Sequence, residues 1–248
     1  MVSRLEKFIA TASPANPKLP VTHITSVANA RSIFENGQLS PTNCPVLRED
    51  LLYFFYGKAE YRGKGHRASD LPGEKPVCFI CNDIPDGSIF ATFPFDSGAF
   101  YLEEGIKERF FPHIKDVLEL NVGDQIENIQ CLITRFFGNN QGYYDGEYIR
   151  LNLDPLLDIE AAAYLQILSS GGLSILDGRA TTPEIVAHTE IPLTSVNYVV
   201  APTQMKSSAY FLGECANNGI VPIYYNIKSP LLPREYISVI QEKIHELL

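Results

Sequence analysis

The chain has 248 residues, of which 45% are hydrophobic and 20% charged, a balance that excludes a disordered chain. Its length fits one large domain or two small ones and can bury a core without a disulfide or metal staple. Twenty Lys and Arg stand against 29 Asp and Glu, a net charge of −9, which excludes a general electrostatic grip on a polyanion but leaves a local basic patch open.

Arg4, Glu6 and Lys7 precede any apolar stretch, and the run from Phe8 to Ala12 is too short for a signal-peptide core. No uninterrupted apolar run approaches the ~18–20 residues of a membrane span. A soluble, cytoplasmic protein without a membrane partner is expected. Residues 1–20 read as a lead-in, extended through the proline-rich stretch 13–20.

Val21 to Thr25 reads as a short strand. Val27, Ala30, Ile33 and Phe34 then recur at helical spacing, with Gly37 where a helix would stop. Leu51 to Tyr56 is an aromatic strand, and the polar, glycine-bearing residues 57–76 read as a long loop. Val77 to Cys81 and Ile89 to Phe93 are further strands. The first of these holds Cys78 and Cys81 as a single C-x-x-C. A zinc site needs about four ligands, and no second pair exists, so the reading is buried strand cysteines and no metal. Five scattered cysteines, an odd number, argue for a reducing compartment.

Phe100 to Leu118 is helical in part, and Ile129 to Phe136 fits helix or strand. Ile159 to Leu168 is a helix closed by Gly171 and Gly172. Glu184 to Ala187, Val196 to Val200 and Val221 to Tyr225 are strand-like, with a helix over Met205 to Ala216 between the last two. Tyr236, Ile237, Ile240, Ile244 and Leu247 mark a terminal amphipathic helix. Helices interspersed among many short strands, without strict alternation, give the α+β class.

Three places could carry chemistry. On a strand, His23 and Thr25 share one face while Ile24 faces the core. Imidazole and hydroxyl side by side can hold a sugar's vicinal hydroxyls; the alternative is an ordinary strand histidine beside a β-branched filler. Glu184 opens an apolar strand. A carboxylate there can line a cleft and stabilise an oxocarbenium-like ribose, or it can be a solvated edge charge that discourages strand pairing. Tyr53 to Tyr56 end in Gly57-Lys58, with Tyr61-Arg62 beyond. Aromatic rings beside cations can stack a flat base and pair a pyrophosphate, or the strand's basic end is simply solvated. Lys58, Arg62, Lys64 and Arg67, with His66, form the densest basic cluster of this acidic chain. Such runs are more often wet surface than a binding patch.

The order of these pieces resembles the DarT-type ADP-ribosyltransferase toxins. His23, Ile24, Thr25, Asn29, Ile33 and Gly37 fit that family's first segment, and its aromatic strand ending in arginine corresponds to Tyr53 through Lys58. Its late segment corresponds to Glu184, Ile191, Pro192, Leu193 and Val196 to Val200. The family's arginine falls on Lys58, which cannot make arginine's bidentate fork; Arg62, four residues on, could take over. Residues 82–158 have no counterpart and read as an insertion.

The resemblance implies a single ADP-ribosyltransferase-like catalytic domain over 1–248, a split β-sheet pair gripping NAD as co-substrate without a metal. It implies that His23 bonds the adenosine-side ribose and that Thr25 supports the nucleotide. Tyr53 or Tyr56 would flank the nicotinamide, and Glu184 would hold the nicotinamide ribose. Lys58 or Arg62 would face the pyrophosphate, and Lys64 and Arg67 the phosphates of a nucleic-acid acceptor. The implied role is a toxin or phage-defence effector with an antitoxin partner. An NAD glycohydrolase, a protein-modifying transferase and an inactive NAD-binding module are the competing readings.

Overall fold

A computed structural model describes residues 2–60, 71–85, 87–101, 106–170, 177–226 and 233–247. The basic-cluster residues Arg62, Lys64, His66 and Arg67, with Tyr61, lie outside the described residues, as do Gly171 and Gly172. In chain order the elements begin with α1 (Arg4–Ile9), β1 (Val21–Ser26), α2 (Val27–Asn36), β2 (Gln38–Leu39), β3 (Thr42–Cys44), β4 (Glu49–Tyr56), β5 (Pro76–Cys81) and β6 (Ile89–Phe93). Then come α3 (Ser97–Phe100), α4 (Ile106–Phe110), α5 (Ile126–Phe137), α6 (Asn140–Asp145) and α7 (Ile159–Ser169). The last are β7 (Glu184–Ala187), β8 (Ile191–Pro192), β9 (Tyr198–Pro202), α8 (Ala209–Asn218), β10 (Val221–Tyr225) and α9 (Pro233–His245). The class is α+β, with mostly antiparallel strand pairing. No helix among the described residues is long and apolar enough to cross a membrane.

The chain divides into two compact units. One comprises residues 1–18 and 89–186, the other 19–88 and 187–248. In the first, α1 replaces the start of the expected extended lead-in. Ser3 and Glu6 close a reciprocal capping box, and Leu5 and Ile9 are buried. The stretch left undecided at Ile129 to Phe136 is α5, because Ile126, Ile129, Ile133 and Phe136 repeat at helical spacing and all are buried. Phe95, Phe111, Phe136 and Tyr164 form this unit's aromatic centre, with Phe136 and Tyr164 edge to face at 4.8 Å. Much of the unassigned stretch 82–158 therefore builds this core.

In the second unit the strands run β10-β9-β5-β1-β4, with β3 beyond on β4. All these neighbours are antiparallel except β9 and β10, which are parallel and need the crossover that α8 supplies. One face of the sheet buries Cys78, Ile80, Val200 and Tyr225 under Tyr236, Ile240 and Ile244 of α9, with Ile24 packed alongside. The other face carries Phe79, which packs on Phe34 of α2, itself edge to face with Phe211 of α8. Cys78 and Cys81 are both buried on β5, and three residues apart on a strand they face opposite ways. Burial pushes the Cys81 thiol up to about 12 and the Cys78 thiol up as well, the latter with a smaller contribution from the charge of Cys81.

Candidate active site

The alternation expected of β1 is present: Ile24 packs under α9, and His23 and Thr25 face the other way. His23 pairs with Phe79 of β5, and its ring lies against Phe54 at 5.8 Å. Its Nδ1 lies 2.9 Å from the carbonyl oxygen of Tyr53. A carbonyl only accepts, so Nδ1 carries the proton and donates. Burial lowers the pKa of His23 below the usual 6.5, against a smaller opposing contribution from the Tyr53 bond. The neutral ring therefore offers Nε2 as an acceptor. Because the folded chain resists protonating this ring, its stabilising contribution is complete above pH 6.5 and is lost as the pH falls below that value.

One turn on, Ser26 caps α2 by accepting from the Asn29 amide at 3.2 Å. The Asn29 side chain in turn donates to Thr25 Oγ1 at 3.0 Å, which leaves the Thr25 hydroxyl proton as the remaining donor. Gly37 ends α2 at φ 71°, a left-handed conformation that suits glycine, so that β2 can turn back. β2 pairs with β8 through Leu39 and Ile191, which is how the Ile-Pro-Leu segment reaches this region.

These elements enclose a cavity of about 340 Å³. His23, Thr25 and Tyr53 line it, together with Asn29, Ser32 and Asn36 from α2 and Leu39 from β2. An acceptor at His23 and a donor at Thr25 on one wall match the hydroxyl pair of a ribose. The volume lies within the range of small-molecule sites. Ser32 and Asn36 were missed in the sequence, although their spacing from Asn29, three and seven residues on along α2, puts all three on one flank.

Of the other expected site residues that are described, Tyr56, Lys58 and Glu184 are not among those that line this cavity. Tyr56 is fully buried, and its hydroxyl accepts from the Leu19 amide at 2.9 Å. It holds the segment before β1 and does not line the cavity, whereas Tyr53 does. Lys58 is half-buried two residues beyond the end of β4. Its carbonyl accepts from the Thr22 hydroxyl at 2.7 Å, and it is not among the cavity's lining residues.

Glu184 belongs to the other compact unit and is fully buried. It is neither a solvated edge charge nor an open cleft residue. Its Oε2 accepts from the Ser97 amide at 2.9 Å. Ser97 follows Asp96, a buried residue whose Oδ1 accepts from the amides of Gly98 and Ala99. This turn holds the carboxylate at the head of β7. The sequence hint for it was the Asp-Ser-Gly order, a helix-starting signal.

No family model matches the chain, and no curated protein matches it. Solved structures of Thermus sp. 2.9 DarT resemble it. The complex of that protein with ADP-ribosylated ssDNA superposes at a TM-score of 0.42 with 12% identity, covering 86% of this chain and 100% of that one. Its complex with NAD+ gives 0.39 and 11%, covering 85% and 100%. Its complex with carba-NAD+ gives 0.36 and 14%, covering 84% and 98%. At such identity and TM-score the likeness leaves the chemistry to the chain's own residues.

Proposed function

We propose that the protein is an NAD-dependent ADP-ribosyltransferase with an ADP-ribosyltransferase-like fold, which releases nicotinamide and passes ADP-ribose to nucleic acid. The observation that carries this reading is the cavity at His23, Thr25 and Tyr53, whose donor and acceptor match a ribose. All three are among the residues on which the resemblance to DarT-type toxins rests. His23 and Thr25 hold the ribose hydroxyls from one wall, and Tyr53 provides an aromatic wall for a flat ring. Glu184 supplies negative charge to the cation-like sugar as nicotinamide departs, a role in which a dry environment strengthens its field. Lys58 or Arg62 pairs the pyrophosphate. A toxin or phage-defence role, with an antitoxin as partner, completes the reading.

Incubation with labelled NAD and separate pools of DNA, RNA and protein tests it. Label transfer to a nucleic acid is the expected result. Label released only as free ADP-ribose identifies a glycohydrolase, and label on protein identifies a protein-modifying transferase. No release of nicotinamide overturns the enzymatic reading.

His23→Ala is expected to raise KM for NAD with a smaller fall in kcat. The lost hydrogen bond contributes ~1 kcal/mol, about fivefold. Steady-state kinetics at saturating acceptor measure it. An unfolded variant would instead assign His23 to the sheet alone.

Neutralisation of Lys64 and Arg67 addresses the acceptor. An acidic protein that modifies a polyanion concentrates positive charge near the acceptor. Neutralising both residues is expected to weaken nucleic-acid binding and flatten its salt dependence by roughly one unit of slope per lost contact, with NAD hydrolysis to water retained. Unchanged binding across salt concentrations would mark these residues as solvated surface.

A further inference from the structure

In the second unit, α2 stands between two cavities. Asn29, Ser32 and Asn36 line the one at His23, and Val27, Arg31 and Phe34 line another of about 310 Å³. Steps of four and three along a helix bring Val27, Arg31 and Phe34 to one flank, opposite Asn29, Ser32 and Asn36. The facing wall comes from Met205, just after β9, and from Tyr210 and Phe211 in the first turn of α8. Phe34 and Phe211 are buried and meet edge to face at 5.6 Å. The cavity opens to solvent: Tyr210 is 49% exposed, and the Arg31 side chain 73%. Aromatic rings and a thioether around an accessible hollow of this size are ordinary walls of a small-molecule site.

Charge at the mouth decides what such a ligand carries. The lining includes two cations, Arg31 and Lys75, and no carboxylate, in a chain of net charge −9. Side chains of this length lay their stems on apolar surface and keep their heads in water, so both charges belong to the rim. Lys75 is fixed beside the start of α2, its carbonyl accepting from the Val27 amide at 2.8 Å. Its side chain enters no ion pair among the described residues. Arg31 has Glu35 at 3.6 Å, one turn on, with both side chains more than half exposed. An exposed pair of this kind is weak and can exchange for a ligand's anion. Glu35 and Glu214 are the carboxylates whose charge reaches Tyr210, and neither lines the cavity.

We infer that this cavity binds a small amphipathic organic anion, a carboxylate on an aryl or short alkyl body. The body displaces water from Phe34, Met205 and Phe211, and the carboxylate accepts from Lys75 and Arg31 at the mouth. Glu35 is the carboxylate's competitor for Arg31. The site uses none of the residues proposed to handle NAD, and it stands or falls independently of that reading.

An NMR titration of the isotopically labelled protein with 3-phenylpropionate tests the site. Saturable shifts centred on the amides of Phe34, Met205 and Phe211 are expected, and 3-phenylpropylamine, with the same ring and the opposite charge, is expected to bind severalfold more weakly. Lys75→Gln is expected to weaken binding of the carboxylate about two- to fivefold, and Glu35→Gln to tighten it by a similar factor. Neither variant alters a core residue. Absence of saturable shifts overturns the site, and so do shifts centred elsewhere or equal binding of the amine and the carboxylate. Self-association of the protein that Tyr210→Ala abolishes would give the cavity to a second copy of the chain and would likewise overturn it.

Discussion

Glu184→Gln is expected to lower nicotinamide release on the order of 10²–10³-fold while the thermal midpoint stays close to that of the parent. The substitution conserves volume. The side-chain oxygen of glutamine can still accept from the Ser97 amide that now bonds Glu184 Oε2 at 2.9 Å. What disappears is the negative charge that the proposed mechanism requires, in a place that solvent does not reach. Low local dielectric makes that charge act more strongly on a cation-like sugar than it would in water. A purely structural carboxylate predicts the opposite pattern: a lowered midpoint, with release per folded molecule unchanged. Single-turnover release and thermal unfolding, measured on the same preparation, separate the two. Glu190→Gln is the control. Glu190 is exposed and close in sequence, and its replacement should leave both readouts unmoved. A wild-type rate in Glu184→Gln would remove this carboxylate from the mechanism.

What could be read in advance follows the range of the interactions involved. The shared face of His23 and Thr25 follows from strand alternation alone, and α2 with its stop at Gly37 follows from local spacing and one backbone angle. Other features depend on partners far along the chain. The hydroxyl of Tyr56 is spent on the Leu19 amide, 37 residues away; nothing within the aromatic strand distinguishes it from Tyr53. The buried Glu184 carboxylate takes its bond from an amide 87 residues earlier. The helical state of α5 was ambiguous because a short apolar run fits both periods. Its neighbours decide it: the aromatic ring of Phe136 packs on Tyr164 of α7 and on Phe8 of α1. The lead-in starts as a helix, α1, for a local reason. Its prolines begin at Pro14, whereas Ser3 and Glu6 upstream already spell a capping box.

Stability and ligand binding are separable in the second unit because β1 has two faces with different duties. Ile24 faces the cluster under α9, and His23 and Thr25 face the cavity. Ile240 is fully buried in that cluster with Ile244 and Tyr236, against Ile80 and Val200 of the sheet. One polar contact ties the covering helix down, the Ala59 amide donating to Gln241 at 2.7 Å, and within the sheet the Tyr225 hydroxyl donates to the Pro76 carbonyl at 2.7 Å. Ile240→Ala removes three carbons from a site with no solvent access and leaves a cavity behind. It is expected to cost ~2–5 kcal/mol in a denaturant titration. At temperatures where the variant remains folded, its affinity for NAD should match the parent's, since no atom of the cavity wall proposed to hold the ribose changes. Saturating NAD should then raise the midpoints of parent and variant by similar amounts, as expected for a ligand that binds only the folded state. An affinity that falls together with stability would mean that the packing of α9 sets the position of His23 through β1. In that case the histidine and the helix behind it would form one cooperative element.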